Sequence, residues 1–230
     1  PSTLTNKLHQ MQLLDFGNHS NGQIWEFTLD NLMNLRYIIC ENLDCPNIGR
    51  LISLQKLPHF RVRNEQGYEV KQVSDLNKLR GRLEISGLEN VTSKEEALEA
   101  NLAAKEGLTY LKLKWHGGDD STRCSPEVEA EVLEGLCPPV GLVTLDIRDY
   151  DGLVYPKWMV GRQNGAPEKL QQLGLSGWSQ PGPAPALEAF IHLRLLHLTH
   201  CSWSALPGNM EHLTSPKDLS IGLPTLPWSL

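Results

Sequence analysis

The sequence has few of the features that mark membrane, secreted or nucleic-acid-binding proteins. No stretch approaches the roughly 18 apolar residues needed to cross a bilayer, and the first residues lack the charged-then-apolar pattern of a signal peptide. The five cysteines are odd in number and scattered, which argues against a disulfide framework and favours a reducing, cytoplasmic environment. Because the formal net charge is -6, no overall basic field is available to attract nucleic acid.

Motifs for catalysis and cofactor binding are also missing. The chain contains neither a phosphate-cradling G-x-x-x-x-G-K-[ST] loop nor a G-x-S-x-G nucleophile elbow. His116 with Asp119 and Asp120 has the residue types for acid–base chemistry, but the pattern predicts a solvated polar loop with no evident pocket. His197 with His200 would need a further converging ligand to hold a metal. We therefore predict a protein without enzymatic activity, cofactor or metal.

A recurring apolar sequence motif is the main indication of the fold. The motif L-x-x-L-x-x-L-x-L, in which x is any residue, recurs about every 19 to 34 residues along the chain. The last pair, one residue apart, has the alternation of a short half-buried strand. The inward positions of the clearest copies are Leu111 and Leu113, Leu145 and Ile147, Leu173 and Leu175, and Leu196 and Leu198.

A unit of this kind cannot cover its own apolar face, so neighbouring units must stack to bury a continuous leucine core. The predicted fold is a leucine-rich-repeat solenoid of the α/β class, curved, with a parallel sheet on the concave face and irregular helices and loops on the convex face. A doubly wound α/β domain is the alternative, but it needs near-continuous apolar strands and more regular helices. We assign residues 1–230 to one domain of about nine irregular repeats and expect a fragment of a longer chain.

Two helices and one insertion are expected between the strands. A capping box formed by Ser93 and Glu96 predicts a helix over 93–105, with Leu98 and Leu102 on one face. A second helix is predicted after an N-cap serine and a proline at the first helical position. Its residues are Ser125 and Pro126, then Val128, Val132 and Leu136. Segment 59–75 is interpreted as a longer insertion.

The turn that follows each strand departs from regular repeats. Regular repeats place asparagine three residues after the second strand leucine, where its side chain satisfies backbone groups in the turn. Here the position holds bulky or sulfur-bearing side chains, which predicts irregular curvature. They are Phe16, Cys40, Leu88, His116, Tyr150, Trp178 and Cys201.

The concave face remains as the candidate binding surface. Outward strand positions combine mixed charges with exposed aromatics, which are the ingredients of protein-binding surfaces. The predicted protein-binding residues are Tyr110, Lys112, Lys114, Asp146, Arg148, Gln172, His197 and Thr199.

Several segments resemble the leucine-rich-repeat region of plant intracellular immune receptors, the nucleotide-binding leucine-rich-repeat proteins with an N-terminal coiled coil. The resemblance covers nearly the whole chain. It is carried by 32–38, by 48–57 and above all by Leu79-Arg80-Gly81-Arg82-Leu83-Glu84-Ile85 running into Leu88-Glu89-Asn90-Val91.

The resemblance implies a cytoplasmic disease resistance module that recognises a pathogen effector or a guarded host protein and holds the receptor inactive until engaged. Its intramolecular partner would be the nucleotide-binding domain of the full-length receptor. ATP or ADP is expected only in that domain, which is absent from this sequence. The alternative is an extracellular leucine-rich-repeat protein, a receptor ectodomain or an enzyme inhibitor. Such proteins have uniform repeats with asparagine ladders and cysteine-paired caps, and this chain has neither.

Overall fold

The computed structural model describes most of the chain. For 25–26, 43–44 and 218–222 it describes the backbone alone. The described residues are 10–15, 25–26, 32–39, 43–115, 124–161, 165, 167–178, 182–187, 189–205, 207 and 218–222.

Parallel strands, each beside the next in sequence, form the main sheet. Its seven strands lie in the order β11-β10-β9-β8-β7-β6-β5, and β1 pairs with β3 and β2 with β4 in two smaller parallel sheets. This sequential parallel order confirms the predicted solenoid. The strands are β1 Leu13–Asp15, β2 Trp25–Glu26, β3 Tyr37–Ile39, β4 Leu43–Asp44, β5 His59–Arg61, β6 Gly81–Ser86, β7 Leu108–Lys114, β8 Thr144–Arg148, β9 Gln172–Ser176, β10 Leu195–Thr199 and β11 Asp218–Gly222. The number of repeats and the extent of the domain over 1–230 stay predictions.

The core follows from the alternation of side chains along each strand. The register aligns the inward leucine of one strand with that of the next, so that Leu83, Leu111, Leu145, Leu173 and Leu196 form one buried row. Burial of each such side chain contributes about 1.5–3 kcal/mol. Since every row spans several repeats, the apolar core is shared between neighbours.

The first convex helix is shorter than predicted. Helix α1 is Lys94–Leu98, and the chain continues as a 3-10 turn at Leu102–Ala104. Asn101 ends the helical path because it adopts a left-handed backbone conformation, with φ of 49°. Leu98 is 52% exposed whereas Leu102 is 2% exposed, so the prediction that they share one face is wrong.

The caps of the two convex helices agree with the sequence. Ser93 Oγ accepts from the Glu96 N–H at 3.1 Å, as the predicted capping box requires. The Glu96 carboxylate accepts from the N–H of Thr92, one residue before the cap, at 2.9 Å. Helix α2, Pro126–Gly135, begins after Ser125, whose Oγ accepts from the Val128 N–H at 3.4 Å. The second predicted helix is thereby confirmed. A third helix, α3, is Lys157–Val160.

The interpretation of 59–75 as an insertion is wrong. Its first residues form β5, which pairs with β6 in the main sheet, and a 3-10 turn lies at Val70–Val73. Phe60 and Val62 are buried while Arg61 is exposed. The segment therefore supplies a strand to the concave face.

An aromatic column lies on the strand-end side of the core, where regular repeats have an asparagine ladder. Tyr150 lies 5.4 Å from Trp115 and 4.6 Å from Trp178 between ring centroids, and Trp178 lies 5.9 Å from Trp203. Two of the bulky side chains named from the sequence, Tyr150 and Trp178, are fully buried, and the irregular curvature of the repeats stays a prediction. After β7 the buried ring is Trp115, and the predicted neighbour His116 lies outside the described residues.

A buried lysine connects two repeats on the convex side. The ammonium of Lys105 donates to the carbonyl oxygen of Ser74 and, at 2.9 Å, to Asn77 Oδ1. Burial lowers the pKa of Lys105, and the nearby carboxylate of Asp75 opposes that shift. The side chain therefore acts as an interrepeat connection.

We expect Lys105→Met to lower the free energy of unfolding by about 2 kcal/mol, because two acceptors lose their charged donor. Urea denaturation followed by circular dichroism measures the loss. Lys78→Met is the matched control: Lys78 is exposed, and the same substitution there should cost less than about 0.5 kcal/mol. Equal losses in the two variants would show that the buried contacts add nothing.

Candidate functional site: the concave sheet face

The outward side chains of β5–β10 form three rows that cross the strands, because the strand register is continuous. The leading row, nearest the strand starts, is Arg82, Tyr110, Thr144, Gln172 and Leu195. The middle row is His59, Glu84, Lys112, Asp146, Gly174 and His197. The trailing row, nearest the strand ends, is Arg61, Ser86, Lys114, Arg148, Ser176 and Thr199.

The structure places all eight predicted binding residues on this face. None of them is fully buried. Six of the eight line a shallow groove of about 380 Å³ over β7–β10. They are Tyr110, Asp146, Arg148, Gln172, His197 and Thr199.

A charged cluster fixes the side chains over β6 and β7. Lys112 Nζ lies 3.0 Å from Glu84 Oε1, and an Arg82 Nη lies 3.8 Å from Glu84 Oε2. The Arg82 guanidinium also lies over the Tyr110 ring, 4.2 Å from its centroid. Burial raises the pKa of Tyr110, and Asp146 adds to that shift. The tyrosine is therefore neutral at physiological pH and can offer its hydroxyl as a hydrogen-bond donor.

A second ion pair lies over β8. Arg148 donates through Nη at 2.8 Å and through Nε at 3.0 Å to one oxygen, Oδ2, of Asp146. This hydrogen bonding raises the pKa of Arg148. Gly174 on the neighbouring strand leaves room for the carboxylate, since a Cβ there would lie 3.0 Å from Asp146 Oδ1. The glycine thus permits the orientation in which Asp146 holds Arg148.

His59 contributes polarity but little charge. Its Nε2 lies 2.8 Å from Ser86 Oγ, and the ring is half-buried. Burial lowers the pKa of His59 more than the nearby Glu84 raises it. The imidazole is therefore neutral at pH 7.

A family model described as R13L1/DRL21 leucine-rich repeats matches residues 70–221, which is more than half of the chain and includes all eight predicted residues. The chain belongs to the R13L1/DRL21 leucine-rich-repeat family.

The curated relatives that this chain matches include plant proteins. Disease resistance protein RGA2 of Solanum bulbocastanum is 38% identical over 111 residues, which are 48% of this chain and 11% of the relative. The putative disease resistance RPP13-like protein 1 of Arabidopsis thaliana is 33% identical over 105 residues, 44% of this chain and 10% of the relative. The chain thus spans only about a tenth of the length of these relatives. The findings confirm the resemblance to leucine-rich-repeat regions of plant disease resistance proteins.

Among solved structures, an internalin (inlF) from Listeria monocytogenes matches with a TM-score of 0.46 and 14% identity. The match covers 84% of this chain and 56% of the internalin.

The residues predicted from the sequence cover only part of the concave face of this chain. The predicted insertion over 59–75 includes His59 and Arg61, although the alternation His59-Phe60-Arg61-Val62 is itself a strand signal. Arg82 and Glu84 flank the inward Leu83 in the same way that Tyr110 and Lys112 flank Leu111. The alternation of inward and outward residues in each repeat motif predicts all four of these outward residues: His59, Arg61, Arg82 and Glu84.

The described part of the chain holds neither a metal site nor a membrane-spanning helix. Within the described ranges, no three His, Cys, Asp or Glu side chains lie close enough to hold a metal ion. The Cys201 thiol donates to the Leu175 and Thr199 carbonyl oxygens, each at 3.5 Å. In the same part of the chain, no helix is long and apolar enough to cross a membrane. The loop with His116, Asp119 and Asp120 lies outside the described residues.

Proposed function

We propose that this chain is the ligand-recognition and autoinhibitory module of an intracellular plant immune receptor, acting by protein–protein binding. The observation that carries the proposal is the family match over 70–221, which contains the groove and its predicted binding residues. Its partners are a pathogen effector or a guarded host protein, and the nucleotide-binding domain of the full-length receptor. It works without catalysis, in the cytoplasm, and ATP or ADP binds in that separate domain.

The concave face has the composition that such a role requires. Protein-binding surfaces derive most of their energy from a few aromatic and arginine anchors surrounded by polar groups. Here Tyr110 and Arg148 are held in place by Arg82 and Asp146 before any partner arrives. Side chains ordered in advance lose less conformational entropy on binding. This preorganisation supports recognition by the sheet face.

The environment of Asn90 helps to distinguish a cytoplasmic protein from the alternative, an extracellular leucine-rich-repeat protein. Asn90-Val91-Thr92 matches the acceptor pattern for N-glycosylation. Its Nδ2 donates to the Val62 carbonyl oxygen at 3.2 Å and to the Gly87 carbonyl oxygen at 3.0 Å. A glycan on Nδ2 would compete with both bonds. The turn therefore favours an unmodified asparagine, in agreement with a cytoplasmic protein.

A concave triple variant tests the proposal. We expect Tyr110→Ala, Gln172→Ala and His197→Ala together to reduce capture of a specific partner from infected leaf extract at least about tenfold, since truncated anchors typically cost 1–2 kcal/mol or more. The bait is the 230-residue chain, and quantitative mass spectrometry measures the captured proteins.

The matched control places three alanines at exposed positions off the sheet face, Lys71, Glu127 and Glu168. Circular dichroism confirms that both variants keep the wild-type fold. A partner retained by the control and lost by the concave variant supports recognition on this face. Identical partner sets for all three baits would contradict it.

A further inference from the structure

The trailing row differs in composition from the other two rows. Its residues are only cationic or hydroxyl-bearing: Arg61, Ser86, Lys114, Arg148, Ser176 and Thr199. The leading and middle rows include apolar, amide and acidic side chains as well. One edge of the face therefore presents donors without a carboxylate.

The charge of the concave face is opposite to that of the chain. The whole chain has a formal net charge of -6, with 21 Lys and Arg against 27 Asp and Glu. The outward positions of β5–β10 carry five cations and two carboxylates. The cations are Arg61, Arg82, Lys112, Lys114 and Arg148, and the carboxylates are Glu84 and Asp146.

Both carboxylates are already engaged by cations of the same face. Glu84 contacts Lys112 at 3.0 Å and Arg82 at 3.8 Å, and Asp146 holds Arg148. Arg61 and Lys114 form no ion pair within the described part of the chain. The excess positive charge therefore concentrates along the trailing row, where Arg148 also keeps its second Nη available.

We infer that the trailing row binds an acidic, extended segment of a protein partner. This inference rests on the proposed function and names the chemistry of the recognised partner. Carboxylates would pair with Arg61, Lys114 and Arg148, while the intervening hydroxyl groups donate to further oxygens. Strands lie about 4.8 Å apart, so the row over six strands measures roughly 24 Å, the length of about seven extended residues.

Electrostatics favour a protein partner over nucleic acid. A long polyphosphate meets the field of the whole chain, whose net charge is -6, whereas a local acidic segment meets only the positive face. Each exposed ion pair contributes little affinity, so the row acts mainly on specificity and association rate. The aromatic and apolar side chains of the leading row supply the remaining contact.

Fluorescence anisotropy with a fluorescein-labelled octaglutamate peptide tests the inference at low salt. The intact chain should bind the peptide, with affinity that falls as salt rises. Arg61→Gln with Lys114→Gln should weaken binding at least threefold. The control Lys71→Gln with Lys78→Gln removes the same charge from exposed positions off the sheet face and should leave the affinity within about a factor of 1.5 of wild type, because distant charges are screened.

Three results of the peptide titration would overturn the inference: no saturable octaglutamate binding by the wild-type chain, equal weakening in both double variants, or tighter binding of labelled octathymidylate than of octaglutamate. The leaf-extract capture separates this inference from the proposed function. If the partner is lost with the concave triple variant but kept by Arg61→Gln with Lys114→Gln, the function stands and the acidic segment is refuted. If the triple variant loses no partner, the function fails, and the peptide titration still decides the chemistry of the row.

Discussion

Gly87→Ala should lower the free energy of unfolding by about 3 kcal/mol or more. Gly87 follows β6 with φ of 76°, a left-handed conformation that costs an alanine roughly 1–2 kcal/mol. A Cβ there would also lie less than 3.0 Å from the Val62 carbonyl oxygen of the preceding repeat. That oxygen accepts from Asn90 Nδ2, so moving it weakens a second contact between the repeats. Urea denaturation monitored by tryptophan fluorescence measures the change.

Gly81→Ala is a matched control for this prediction. Gly81 has nearly the same φ, 77°, but a Cβ there would meet nothing within 4 Å. Its substitution should cost only the conformational term of about 1–2 kcal/mol. The difference between the two variants isolates the steric contact of Gly87 with Val62. Equal losses would mean that the backbone at Val62 moves aside without cost.

The turn after each strand explains why glycine is needed at some repeats and not at others. Asp149 and His200 occupy the equivalent positions after β8 and β10, with φ of 59° and 54°. Aspartate and histidine tolerate this region better than other residues with a Cβ. Gly177, after β9, lies so close to Asp149 that a Cβ there would approach Asp149 Oδ1 within 3.0 Å. The requirement therefore depends on the neighbouring repeat as well as on φ.

The strands were predictable because their signal is local. Leu111 and Leu113 alternate with Lys112 and Lys114 whatever the neighbouring repeat contains, and this alternation also located the outward positions of the sheet. The predicted helix over 93–105 is too long because a capping box marks only where a helix starts. The available stop signal was Asn101, since asparagine tolerates the left-handed conformation that ends many helices.

Local sequence patterns do not predict the contacts between repeats. Lysine is rarely buried, so no local pattern places Lys105 in the interior, where Ser74 and Asn77, far away in sequence, accept its hydrogen bonds. The orientation of Asp146 depends on Gly174 in the next strand, which lies beside it only after folding. The excess positive charge of the trailing row likewise depends on the strand register, which places Arg61, Lys114 and Arg148 in one row.

Trp178→Ala should have the largest effect on stability, a loss of about 3–5 kcal/mol. The indole is fully buried and donates from Nε1 to the Ile147 carbonyl oxygen at 3.4 Å. Its ring contacts Tyr150 at 4.6 Å, Tyr155 at 5.6 Å and Trp203 at 5.9 Å between centroids. The substitution leaves a cavity at the centre of the aromatic column. Leu98→Ala, at an exposed apolar position, serves as control and should change stability by less than about 0.5 kcal/mol.

The same variant tests whether the aromatic column couples the repeats. In a solenoid, cooperativity depends on interfaces between neighbouring units, so a cavity at one interface should separate the unfolding of the two sides. We expect the wild-type chain to unfold in one urea transition and Trp178→Ala to unfold in two, with the 189–205 side unfolding at lower urea. Trp178→Phe keeps a ring in contact with Tyr150 and should retain one transition with a smaller loss. If Trp178→Ala instead unfolds in one step with an unchanged urea dependence, the leucine rows alone couple the repeats, and the column contributes only its own burial.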